Sequence, residues 1–266
     1  GFNGTIDDVE VYIEDQDRSV NNKGLQVYGT VTKTPVVAGA ELVAYSGFSA
    51  SNYLQQPYNS DLDFGTGDLS IIFWYKLTST GTPQCFIHRG DGGSGTWGSG
   101  NLIQIEMDTS HIEFQLAGPS FVPNTEAEVS VDVAATGEWQ HFVAVRKDGY
   151  MHIYIDGAKY GNVASTQNVT NTSAKLWVGQ RPNSSRPLSN GSMALLRMSS
   201  TAPTHEQVKK MYDDEKCLFH ENAKCTLHGT SDGVTALAFD DTNDILHAGT
   251  SSGRSEFQGL NRINNT

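Results

Sequence analysis

From residue 25 to residue 200 the chain repeats one pattern: a short run of alternating apolar and polar residues, then a break rich in Gly, Asn, Pro or Ser. Alternation with period two puts every second side chain on one face of a strand, so each run can bury one face and wet the other. Such runs occupy 25–31, 69–77, 102–107, 111–116, 128–133, 141–146, 151–155, 175–178 and 193–198, and they are enriched in β-branched and aromatic residues,. The breaks carry hairpin chemistry. Lys147-Asp148-Gly149-Tyr150 sets Asp-Gly between two apolar runs, Asp156-Gly157 is a second corner, and Asp108-Thr109-Ser110-His111 is a weaker third,. Closely spaced strands with almost no helical periodicity among them predict an all-β, two-sheet antiparallel sandwich.

Composition narrows what such a sandwich can do. The 266 residues hold 18 Lys+Arg and 30 Asp+Glu, a net charge of −12. Residues 1–30, 31–200 and 201–266 each net −4. Acid without a basic stripe repels phosphate, which excludes sequence-independent nucleic-acid binding and anionic-membrane binding. No apolar run approaches the roughly 18 residues of a membrane helix, so membrane insertion is not expected. The chain opens on Gly1 with no charged-then-apolar leader, and reads as a processed chain or a piece of something longer,.

The alternation stops at 203–212. There Thr204 stands three residues before Gln207 as in a capping box, and Val208, Met211 and Tyr212 share a helical face,. This short helix is expected to seal an edge of the sandwich. Beyond it, 234–239 and 245–248 form two apolar runs around a polar loop, a hairpin. Residues 2–12 and 189–198 repeat an Asn-Gly-hydroxyl-strand pattern. The expected organisation is an N-terminal β arm (1–39), a jelly roll with its sealing helix (40–216) and a small C-terminal β extension (217–266). Both ends look like incomplete pieces of sheet, so a homo-oligomer, trimer or filament, built through the terminal segments is expected. Cys85 lies in an apolar run and reads as a buried thiol. Cys217 and Cys225 are close enough to bridge, and the sequence leaves that pairing open,.

Gly67-Asp68-Leu69-Ser70-Ile71-Ile72-Phe73-Trp74-Tyr75-Lys76, then Trp139-Gln140-His141-Phe142-Val143-Ala144-Val145 leading to Tyr154-Ile155-Asp156-Gly157, then Trp177-Val178-Gly179 and Asn190-Gly191, follow one another in order. This series resembles the laminin-G-like, concanavalin-A-like lectin/glucanase superfamily across roughly 40–215. The resemblance implies a concanavalin-A-like jelly roll in which Trp74 and Trp139 pack between the sheets. The stretch 45–65 is similar to laminin-G-like modules of marine bacteriophage tail-fibre-type proteins, and 234–254 resembles part of a β-propeller blade. Those likenesses imply a virion-surface or other extracellular location.

Glucanases of the superfamily carry Glu-x-Asp-x-x-Glu on one strand, and retaining hydrolysis needs the two carboxyls roughly 5–5.5 Å apart. Here Glu106 and Asp108 share a face, but His111 stands where the second glutamate is expected and Glu113 lies across a turn. The sequence therefore reads as non-catalytic. No cofactor is expected. The family's calcium positions are not reproduced, since Asn101 alone resembles the expected pair and Arg181 follows Gly179-Gln180; a calcium site from Asp61, Asp63 and Asp68 is left open. Two loops are expected to carry a binding site. One is 89–101, where Asp91, Trp97 and Asn101 offer a stacking ring and hydroxyl partners for a sugar. The other is 180–188, where Arg181, Asn183 and Arg186 could meet acidic sugars or a partner's carboxylate. The function expected is a lectin-like module of a phage tail fibre or other virion protein, recognising a cell-surface glycan. The alternative is a structural, assembly or adhesin subunit without a sugar ligand.

Overall fold

The computed structural model describes residues 13–15, 23–90, 101–118, 127–182, 186–231 and 233–266. Two antiparallel sheets face one another. The eight-stranded sheet runs, edge to edge, β1 (Ile13–Asp15), β2 (Leu25–Tyr28), β5 (Tyr53–Gln56), β14 (Lys175–Val178), β7 (Gln84–Gly90), β8 (Leu102–Asp108), β9 (His111–Ala117) and β10 (Ala127–Asp132). The seven-stranded sheet runs β13 (Ala158–Ala164), β12 (Tyr150–Ile155), β11 (Trp139–Lys147), β6 (Leu69–Leu77), β15 (Gly191–Ser199), β4 (Val43–Ser46) and β3 (Thr32–Pro35). Inward-facing Phe73, Tyr75, Phe86, Ile105, Phe114 and Phe142 fill the space between them. The expected all-β jelly roll is what the chain forms.

The hairpins form where the sequence places them. Asp148 (φ 51°) and Gly149 (φ 80°) are both left-handed, as a two-residue turn matching strand twist requires,. β2 and β3 each join one of the two sheets, so 25–35 is woven into the sandwich. The Asn-Gly-strand stretch at 2–12 lies outside the described residues.

Helix α1 (His205–Glu215) begins with the expected capping box between Thr204 and Gln207, and continues into a short 3₁₀ turn, Lys216–Phe219. Together they cover the outer face of the seven-stranded sheet. Here the structure corrects the expectation for Trp74 and Trp139. With Phe73 and Tyr75 inward, period two turns Trp74 outward, where it stacks on Phe219 at 4.1 Å between ring centres. Its Nε1–H donates to Glu215 (2.8 Å), which also receives Arg197. Trp139 packs beside Phe219 and donates to the Val36 carbonyl. Cys85 is buried, and no disulfide joins Cys217 to Cys225.

The C-terminal residues make a separate four-stranded meander rather than a hairpin: β16 (Val234–Asp240), β17 (Ile245–Thr250), β18 (Gly253–Gln258) and β19 (Asn261–Asn265). Arg262 ties it to the sandwich by donating to Glu41 and to the Thr226 carbonyl.

Candidate functional site

Because α1 covers only the seven-stranded sheet, the outer face of the eight-stranded sheet carries no helix among the described residues. Strand register decides what stands on that face. Gln26 pairs with Gln55, Gln55 with Trp177, Trp177 with His88, His88 with Gln104, Gln104 with Gln115 and Gln115 with Glu128. Cross-strand partners share a face, so these seven side chains form one row across seven strands. With Tyr28 and Tyr53, which stand two residues along from Gln26 and Gln55 on the same face, this surface has two halves.

The polar half is a hydrogen-bonded ladder whose His88, Gln104 and Gln115 are 2%, 0% and 0% exposed. His88 Nδ1 meets Gln104 Oε1 at 2.9 Å, Gln104 Nε2 donates to Gln115 Oε1 at 2.8 Å, and Gln115 Nε2 donates to both Glu113 and Glu128. Since Gln104 offers its carbonyl oxygen, His88 is the donor and holds its proton on Nδ1. Burial pushes the His88 pKa down to about 4, which keeps the ring neutral,. The aromatic half is a stack. Tyr28 lies on Tyr53 at 4.6 Å with ring planes 9° apart, and Tyr53 on Trp177 at 4.9 Å. All three rings are half-buried, each with part of its surface open. Tyr28 Oη donates to Gln26 and Gln55. Beside this end lies a cavity of about 240 Å³ lined by Lys23, Gln26, Gln56, Tyr58 and Asn59.

The next row holds the carboxylates singled out from the sequence. Glu106 is fully buried and lies directly opposite Glu113. Arg181 donates to both its oxygens at 2.6 Å, and Arg186 to one of them at 2.6 Å. Burial raises the Glu106 carboxyl to about 7 against the pull of the two arginines, which lower it. A carboxyl near neutrality has the proton affinity of a general acid. This one is sealed from solvent with both oxygens occupied, so no glycosidic oxygen can reach it.

Arg181 and Arg186 therefore correct the picture of an outward cationic loop. Arg181 is 3% exposed and both guanidinium groups turn inward onto Glu106, because a buried carboxylate in that position requires a cation,. Asn101 donates its amide to the Thr170 carbonyl and its own carbonyl accepts from Asn171, which fastens one end of the 89–101 loop. Asp91, Trp97 and Asn183 lie outside the described residues. The aspartates considered for calcium do not converge: Asp61 pairs with Lys23, Asp63 with Arg89, and Asp68 caps the Asp148 amide. Among the described residues Asp108, His111 and Glu113 do converge, with ligand atoms within 4.8 Å of one another. A divalent ion could use that spacing.

The aromatic end of the row was missed from the sequence. The signal was there: alternation over 175–178 separates Trp177 from the core-facing Leu176 and Val178.

The two-sheet antiparallel fold defines a lectin-like sandwich. Residues 48–209 match the sequence profile of the concanavalin A-like lectin/glucanases superfamily, and the chain belongs to that superfamily. Nothing among curated proteins matches it. Several solved receptor-binding domains share the fold. The botulinum neurotoxin serotype D binding domain, solved with N-acetylneuraminic acid, has a TM-score of 0.58 at 14% identity, covering 91% of this chain and 58% of that one. The botulinum neurotoxin DC binding domain, solved with rat synaptotagmin II, has a TM-score of 0.58 at 14% identity, covering 92% and 60%. The binding domain of Paraclostridial Mosquitocidal Protein 1 has a TM-score of 0.58 at 12% identity, covering 90% and 61%. This chain thus spans about three fifths of the length of these structures.

Proposed function

We propose that the protein is a non-catalytic glycan-binding module, and that the glycan lies against the partly open rings of Tyr28, Tyr53 and Trp177 on the outer face of the eight-stranded sheet. One observation carries the reading: Tyr28, Tyr53 and Trp177 form a three-ring stack with part of each ring open, and the half-buried amide of Gln26 stands beside it. Sugar rings present apolar C–H faces and hydroxyl edges, which suit aromatic faces and amides respectively. Two domains sharing the fold were solved with ligands, one with N-acetylneuraminic acid, which supports a glycan, and the other with rat synaptotagmin II. The sealing of Glu106 by Arg181 and Arg186 supports a binding role over hydrolysis. The setting that fits is extracellular, with a cell-surface glycan as partner and the tail fibre of a phage or another virion-surface protein as host structure.

The test is a glycan array probed with the intact chain and with Trp177→Ala and Tyr28→Ala, fold being checked by circular dichroism. Loss of array binding in both folded variants is expected. Retained binding would move the site elsewhere, to the 89–101 loop first, and release of reducing sugar by the intact chain would refute the non-catalytic assignment. The structural reading without a sugar ligand rests on a different feature, the exposed apolar surface of the C-terminal sheet.

A further inference from the structure

The C-terminal sheet wears its apolar side chains outward. Val234 (46%), Leu237 (66%), Phe239 (61%) and Leu246 (37%) are exposed. Register puts all four on one face. Leu237 stands opposite Ala248, Phe239 opposite Leu246, and Val234 opposite Thr250 after the bulge that follows it. The opposite face carries Ala236, Ala238, His247, Arg254 and Glu256, with Arg254 and His247 both on Glu256. The sheet is amphipathic, and its apolar side lacks a full cover.

Part of that side is covered by the chain itself. The His228 amide donates to Ser255 Oγ and the Ser231 amide to Ser252 Oγ, which lays the 228–231 segment over β17 and β18. Ala248 and Ser255 are accordingly 3% and 1% exposed. The cover ends there, and β16 is an edge strand with every apolar residue exposed. The bare part is on the order of 400 Å², within the range of the largest apolar patch on a soluble monomer, which is often a functional one.

We infer that this stripe, Val234, Leu237, Phe239 and Leu246, is the contact between two copies of the chain, packed sheet on sheet. The stripe has no charge, so it selects for apolar shape, and a flat sheet face is best matched by another flat sheet face roughly 10 Å away. Two stripes remove about 800 Å² of apolar surface, and with their rims reach about 1,200 Å², the lower end of specific interfaces. Charge sets the orientation. Asp240, Asp241 and Asp244 crowd the β16–β17 turn, and strands running the same way in both copies would bring two such turns together. A two-fold axis between the sheets and perpendicular to the strands instead sets each acidic turn against the other copy's uncharged Thr250-Ser251-Ser252-Gly253 turn, so the acidic turns stay apart. Such an interface is isologous, and its small area makes the dimer reversible.

Sedimentation equilibrium of the intact chain tests this from about 1 to 500 µM, a range spanning the dissociation constants of interfaces this small. The weight-average mass is expected to climb from monomer towards twice the monomer. Leu237→Asp with Phe239→Ser, both at exposed positions, is expected to weaken association at least about tenfold. Tyr150→Ser, an exposed aromatic on the sandwich, is expected to leave it unchanged. Circular dichroism matched to the intact chain shows that the double variant keeps its fold; a single variant, Leu237→Asp, serves if the double one does not. A monomer throughout the range, or a folded variant that dimerises as the intact chain does, overturns the inference.

Discussion

Gly179 and Gly149 both sit in the left-handed region, at φ 84° and 80°, yet the space around them differs completely. A Cβ at Gly149 meets nothing within 4 Å, whereas one at Gly179 falls 2.1 Å from Cδ1 and 2.5 Å from Cε1 of Phe48. Phe48 is 2% exposed and belongs to the main core, so its ring has nowhere to go. Replacing Gly149 by Ala therefore brings only the backbone penalty, about 1–2 kcal/mol. Replacing Gly179 by Ala adds overpacking of about 1–3 kcal/mol on top of the same penalty. For a chain of this size each kcal/mol moves the melting temperature by roughly 2–4 °C. Gly149→Ala should thus melt roughly 3–6 °C low and Gly179→Ala about 10 °C low, read by calorimetry on both proteins side by side. The difference between them isolates the Phe48 contact. If the two variants melt within about 2 °C of each other, core rigidity around Phe48 is not what fixes glycine at 179, and the packing argument is wrong.

Three other outcomes are expected. Glu215→Gln leaves one guanidinium or indole donor short of its acceptor, and should lower stability by about 1–3 kcal/mol in urea titration; no change would mean that Trp74 and Arg197 do not fasten the helix. His141 is buried with both ring nitrogens unpartnered, and burial holds its pKa down to about 4. Unfolding lets the ring protonate below about 6.5, so its contribution is full above that pH and is lost as pH falls towards 4. Glu106, raised to about 7, works in the opposite direction, so the measurement is the difference between the intact chain and His141→Phe in urea midpoints at pH 7 and pH 4.5. The variant should lose less stability on acidification; equal losses would show that the ring is charged in the fold. Trp177→Ala should abolish glycan-array binding while leaving the melting temperature within about 3 °C, since its ring is only half-buried.

What the sequence reveals depends on whether a residue's neighbours lie near it along the chain. Period two and Asp-Gly turns are local, so 69–77 and 175–178 are read to the residue, and the capping box of α1 appears as expected. Strands such as Tyr53–Gln56 and Gln84–Gly90 alternate poorly because β7 is buried on both faces, and they emerge only once paired,. Trp74 shows the limit from the other side. Its burial follows from aromatic content, but the face it occupies is fixed by Phe73 and Tyr75 competing for the core. Arg181 and Arg186 read as surface cations because nothing within the 180–188 segment predicts a carboxylate buried 75 residues away.

The two outer faces of the sandwich solve opposite problems. On the seven-stranded sheet the outward residues are Trp74, Ile72, Val143 and Tyr154, apolar enough to require a cover, which α1 and Phe219 supply. On the eight-stranded sheet they are glutamines, His88 and Glu106, which a helix could cover only by stranding polar groups. Lateral bonding removes that difficulty: each amide satisfies its neighbour across the strands, and His88, Gln104 and Gln115 are buried with those bonds made. The aromatic end differs, because stacked rings keep part of their surface bare however well they pack. A ligand that displaces water from Trp177 and Tyr53 gains there without breaking the ladder. Specificity should then rest on how its hydroxyls meet the edge of Gln26, the half-buried amide beside Tyr28.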